Sequence, residues 1–146
     1  MTERVWTIGY GGRDVEDFVT LLQTHKIATV VDVRSRPHGW NPAYHKDNLA
    51  NTLDSVGIGY VWSQALGGYE FTDKTRLKLA LKRALLQKAP VCLMCAEEDH
   101  HKCHRYTLLA PLVIEMGHPL AHISKGGRVY YQHKPAPKPP SLDDYF

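Results

Sequence analysis

Apolar side chains recur in this chain with two different spacings, and the two alternate. Residues 5–8, 28–33, 58–62 and 91–94 are short, nearly continuous apolar runs, the pattern of strands buried on both faces. Between them lie sets at three- and four-residue spacing: Val15, Phe18, Val19 and Leu22; Leu49, Leu53 and Val56; Leu77, Leu81, Ala84 and Leu85. A further set, Leu108, Leu109, Leu112, Val113 and Met116, follows the fourth run. Each is one face of a helix. Asp14 stands where the first helix needs an N-cap, and Gly57 where the second needs a stop. Pro111 either kinks the last helix or marks its start. Residues 120–123 read as a fifth strand. Strand–helix alternation with right-handed crossovers predicts an α/β fold, a single three-layer sandwich around a mainly parallel sheet of roughly five strands.

A parallel sheet collects its strand-to-helix turns on one rim, where open α/β sheets bind their ligands. The turns at 9–13, 32–44, 66–69 and 95–105 all follow predicted strands, so their polar residues converge there. Beyond residue 131 the pattern stops. Residues 132–140 hold prolines at 135, 137, 139 and 140, which favour an extended, solvated spacer. The predicted organisation is an α/β domain over 1–131 and a flexible tail over 132–146 with an acidic, aromatic end.

Composition narrows the class. The chain has 146 residues, 43% hydrophobic and 23% charged, with a formal net charge of +3. That suits one globular domain, permits an anionic ligand and leaves no run of the roughly 20 apolar residues that a membrane span needs. The first residues lack a signal-peptide pattern. Three cysteines, an odd number, argue against a disulfide framework and for a reducing, cytoplasmic setting.

The densest chemistry lies between Cys95 and Arg105, where two thiols, carboxylates, imidazoles and a guanidinium share one loop. Arg13, Arg34, Arg36 and Arg105 are all expected on the rim, beside the glycine turns Gly11-Gly12 and Gly67-Gly68. Guanidinium forks and helix N-termini both suit phosphate. The alternative is that Arg34 and Arg105 pair internally with Asp32 and Glu97. Cys95, at a strand end ahead of a helix, is a candidate nucleophile or an inert buried thiol. Asp32, Glu97 and His104 are candidate acids, bases or orienting groups. Cys95, Cys103 and the neighbouring histidines match no standard zinc spacing, so no metal or other cofactor is expected. Trp40 and Tyr44 lie in a rim loop where their faces could stack a base.

The signatures in residues 7–13, 31–35, 66–68 and 94–97, with Cys103-His104-Arg105, resemble a family of small α/β proteins known only as domain of unknown function four-eight-eight. The resemblance implies the same fold and marks the same rim loops; it brings no reaction. Tyr10 departs from that family, which often has histidine there. The turn at Asp32-Val33-Arg34 with a rim cysteine is also similar to rhodanese-like sulfurtransferases, though ten positions separate Cys95 from Arg105. The end of the chain, with Leu142, Tyr145 and Phe146, resembles the box that binds sliding clamps, with Pro139 in place of its usual glutamine. The expected function is a small enzyme acting on an anionic nucleotide-like or nucleic-acid-linked substrate, in DNA repair or base processing. Thiol-based sulfur transfer through Cys95 and a non-catalytic nucleotide-sensing or protein-binding module are the alternatives.

Overall fold

The computed structural model of the chain describes residues 3–38, 40–67, 73–97 and 108–133. Its strands are β1 (Val5–Gly9), β2 (Thr29–Asp32), β3 (Gly59–Trp62), β4 (Val91–Cys95), β5 (Leu120–Ile123) and β6 (Val129–Gln132), and its helices are α1 (Val15–Thr24), α2 (Lys46–Ser55), α3 (Gln64–Gly67), α4 (Lys74–Leu85) and α5 (Ala110–Glu115). The strands form one sheet in the order β3-β2-β4-β1-β5-β6. All pairs are parallel except β5 with β6.

The period of two along each strand sorts the core into two layers. Ile8, Val30, Cys92, Met94 and Ile123 pack with Phe18 and Leu22 of α1 and with Leu49 and Leu53 of α2. Val31, Leu93, Cys95 and Leu120 pack with Leu77, Leu81 and Ala84 of α4 and with Leu112 and Val113 of α5. Every residue of β2 and β4 is buried, which is why β4 reads as an unbroken apolar run; β2 buries Thr29 and Asp32 as well. This is the three-layer α/β sandwich expected from the sequence.

The expected caps hold. Asp14 accepts a hydrogen bond from the Asp17 amide at 2.9 Å. Pro111 lies in the first turn of α5 and so marks its start, where a missing N–H costs nothing. The strand count is corrected from five to six. The sixth, β6, is an edge strand with Tyr130 and Tyr131 exposed, and an edge needs no apolar run to be a strand. It pairs antiparallel with β5 after a tight reversal through Gly126 and Gly127, both at positive φ. The short α3 likewise stands where only a glycine turn was expected. Among the described residues no helix is long and apolar enough to cross a membrane.

Candidate functional site

The carboxyl ends of β1, β2, β3 and β4 lie on one rim. The connection from β1 crosses to one side of the sheet and the connection from β4 to the other, so the chain reverses its direction of winding between these neighbouring strands. Such a reversal opens a crevice in α/β sheets. Pairing continues past the strand ends there: the Tyr10 amide donates to the Cys95 carbonyl at 3.1 Å and the Gly11 amide to the Ala96 carbonyl at 2.8 Å. The Gly11 N–H is therefore part of the sheet's edge. Gly12, at φ +73°, makes the turn into α1.

Under the rim lies a buried polar network built on β2. Asp32 is fully buried and Arg34 is 6% exposed. The Arg34 Nε–H donates to both Asp32 oxygens, at 2.9 and 3.0 Å, and Nη2 donates to Oδ2 at 2.7 Å. The Arg34 amide adds a bond to Oδ1 at 3.0 Å, and the Tyr60 hydroxyl on β3 donates to Oδ2 at 2.5 Å. The carboxylate is thus held by two chains of donors, one local and one from the neighbouring strand. Burial works against the charged guanidinium, but the Asp32 hydrogen bonds and charge outweigh it, so the Arg34 pKa is raised. Burial, then the bond to Asp32 and its charge, raise the Tyr60 pKa and keep the phenol neutral. The Trp62 indole N–H donates to the Arg34 carbonyl at 2.8 Å.

Tyr10 covers the other side of the guanidinium. The Arg34 carbon lies 5.2 Å from the Tyr10 ring centre, and its Nη1 donates to the Tyr10 hydroxyl at 3.4 Å and the His38 carbonyl at 3.2 Å. Tyr10 stacks on Tyr44 with centroids 4.1 Å apart, and Tyr44 meets Phe18 edge-on. The Tyr44 hydroxyl donates to the Arg13 carbonyl at 2.9 Å. Its pKa is raised, first by burial and then by the charge of Asp14, against the opposing charge of Arg13.

The rim arginines therefore divide. Arg34 takes the internal pairing with Asp32 that the sequence left open. Arg13 bridges strand ends, its Nε–H donating to the Gly9 carbonyl at 2.9 Å and its Nη2 to the Ser124 carbonyl. Arg36 is exposed. The expectation of four guanidiniums turned to one anion is not the arrangement of Arg13 and Arg34, because two backbone carbonyls and a buried carboxylate hold them.

Of the other candidates, Tyr44 is a packed core residue at 1% exposure, whereas Trp40 stands fully in solvent at 104%. Cys95 is 3% exposed and lies in the core layer shared with α4 and α5. Glu97 is exposed just beyond β4. Gly67 lies against the turn after β2: a Cβ there would come within 2.3 Å of the Ser35 amide nitrogen. Gly68, Cys103, His104, Arg105, Leu142, Tyr145 and Phe146 lie outside the described residues.

Sequence reasoning missed the parts that Tyr10, Tyr60 and Trp62 play here. A signal for Tyr60 was present. A tyrosine in a strand that packs on the core favours a partner for its hydroxyl, and Asp32 ends the strand paired beside it.

One comparison bears on this rim. The family model described as domain of unknown function DUF488 matches residues 14–76, a stretch that holds Asp32, Arg34, Arg36, Trp40, Tyr60 and Gly67 and stops before β4. No curated protein and no solved structure matches the chain.

Proposed function

We propose, from the geometry of its carboxyl rim, that this chain, which the DUF488 family model matches over residues 14–76, is a small enzyme that handles an anionic, nucleotide-like or nucleic-acid-linked substrate. The observation that carries this reading is Trp40. A wholly exposed indole on the loop between β2 and α2 costs apolar surface in water, and cationic residues flank it in the sequence. Arg36 is exposed four residues before it, and Lys46 follows on α2 with its ammonium 4.9 Å from the Trp62 ring. An exposed aromatic face on a loop that also carries an exposed arginine suits a base stacked on the ring with its phosphate held by the guanidinium. The Asp32–Arg34 pair supports the reading differently, by holding that loop's base rigid.

In this proposal Trp40 stacks the base and Arg36 takes the phosphate. Glu97, exposed past β4, serves as general acid or base together with His104. Two observations weigh against the sulfur-transfer alternative: Cys95 is buried, and its side chain belongs to the α4–α5 layer rather than to the rim. A nucleotide-sensing module would share the binding residues and differ only in lacking turnover.

A fluorescently labelled single-stranded oligonucleotide titrated at low and moderate salt tests the binding. Stacking on one aromatic contributes about 1–3 kcal/mol per base, so Trp40→Ala should weaken binding about 5- to 150-fold. Arg36→Ala should weaken it and flatten the salt dependence. Equal affinities for wild type and Trp40→Ala, or no binding of any oligonucleotide or nucleotide, would remove this reading.

A further inference from the structure

The opposite rim, at the amino ends of the strands, carries a groove that the proposed function does not use. Two clefts of about 500 and 610 Å³ meet there and share Leu85 and His118. Leu85, Leu86 and Met116 give the groove an apolar floor, and Arg4, Lys82 and His118 edge it with Glu3 as its acid. Leu86 stands 83% exposed just past the end of α4. An apolar strip of this kind, bordered by the cations Arg4 and Lys82, fits an acidic segment with large apolar side chains.

This chain has such a segment. Residues 142–146 read Leu-Asp-Asp-Tyr-Phe, two carboxylates between an aliphatic anchor and an aromatic pair. The path of the backbone brings it to the groove. β6 runs antiparallel to β5, so Gln132 pairs with Leu120, only two residues after His118. The chain therefore leaves the sheet on the amino rim, beside the groove. Arg4 marks the way, its guanidinium 4.8 Å from the ring centre of Tyr131 on β6. From His133 to Leu142 a proline-rich spacer reaches up to roughly 28 Å at about 3.1 Å per residue.

We propose that residues 142–146 dock intramolecularly in this groove, with Leu142, Tyr145 and Phe146 on the Leu85–Leu86–Met116 floor and Asp143 and Asp144 facing Arg4, Lys82 and His118. A short tether gives an effective concentration in the millimolar range, so even a weak contact is populated. Docking also covers the very side chains that resemble a clamp-binding box, so a partner protein has to compete with the chain's own groove. This inference is independent of the nucleic-acid reading and concerns the other end of the molecule.

Nuclear magnetic resonance relaxation on the full chain tests it, with wild type, Leu86→Glu, and the double variant Tyr145→Ala/Phe146→Ala. Leu86 is exposed and the aromatic pair belongs to the last residues of the chain, beyond the described sandwich residues, so the remaining amide shifts are the check that both variants are folded. Docking predicts backbone order parameters above roughly 0.6 for residues 142–146 in wild type, falling below that in either variant. The amides of Leu85, Leu86, Met116 and His118 should shift together in the double variant. Low order parameters in the wild-type segment, or values untouched by Leu86→Glu, overturn the proposal. Ordering that grows with protein concentration also overturns it, since the groove would then hold the segment of a second copy.

Discussion

Asp32 and Arg34 show how much a single buried side chain can require of its neighbours. An ionised carboxylate removed from water is tolerated only when its lone pairs are taken up, and here five hydrogen bonds from Arg34 and Tyr60 reach its two oxygens. Removing one partner leaves the other charge buried and alone. Asp32→Ala is therefore expected to cost about 3–5 kcal/mol of stability, measured by urea unfolding. Arg34→Met combined with Asp32→Leu, which removes both charges, should cost less than Asp32→Ala alone. If the single and double variants are equally destabilised, the pairing is not what holds this turn.

At the scale of elements, the β2 turn and α3 approach each other so closely that only a residue without a Cβ fits. A methyl on Gly67 would lie 2.3 Å from the Ser35 amide nitrogen and 2.5 Å from the Arg34 carbonyl carbon. These are backbone atoms, which cannot swing aside as a side chain does. Gly67→Ala should therefore separate the two turns and cost about 1–3 kcal/mol by overpacking. Because the β2 turn leads into the loop that carries Arg36 and Trp40, the same variant should weaken oligonucleotide binding as well. Thermal unfolding and the titration described for Trp40 read the two effects separately. Unchanged stability would mean that the turns adjust freely.

For the whole molecule, the carboxyl rim couples stability to alkaline pH. Tyr44 and Tyr60 each join two elements through a phenol whose pKa burial pushes above its usual value of about 10. A pKa raised on folding gives stability that is complete below the unfolded-state value and is lost as pH climbs past it. The unfolding free energy should thus show no decline from these two groups up to about pH 10 and fall above it. Tyr60→Phe removes one of the titrating phenols and one hydrogen bond to a charged acceptor. It should lower stability at neutral pH by about 1.5–3 kcal/mol and make the alkaline fall shallower. Denaturant melts from pH 7 to 11 measure both, and an equally steep fall in the variant would exclude Tyr60 as a source.

The alternation of apolar runs and helical spacings was enough to determine the sandwich, its two helical layers and the rim on which its turns gather. Burial demands continuous apolarity from β4, a largely apolar run around β2 and one-sided apolarity from α1, α2 and α4, so those elements are written locally. The caps at Asp14 and Gly57 are legible for the same reason, as each satisfies groups within one turn of itself. β6 was not legible, because an edge strand closed by a hairpin buries too little to leave a pattern. The fates of the rim residues were not legible either. Nothing local distinguishes Arg13 and Arg34, held by partners beneath the rim, from Arg36, which meets solvent. Nor does it distinguish Tyr44, packed between Tyr10 and Phe18, from the exposed Trp40. Those differences arise when folding buries Asp32 with Arg34 and brings the Ser124 carbonyl, far away in the sequence, to Arg13. Only the tertiary structure decides which charges it consumes in holding itself together and which it leaves for a ligand.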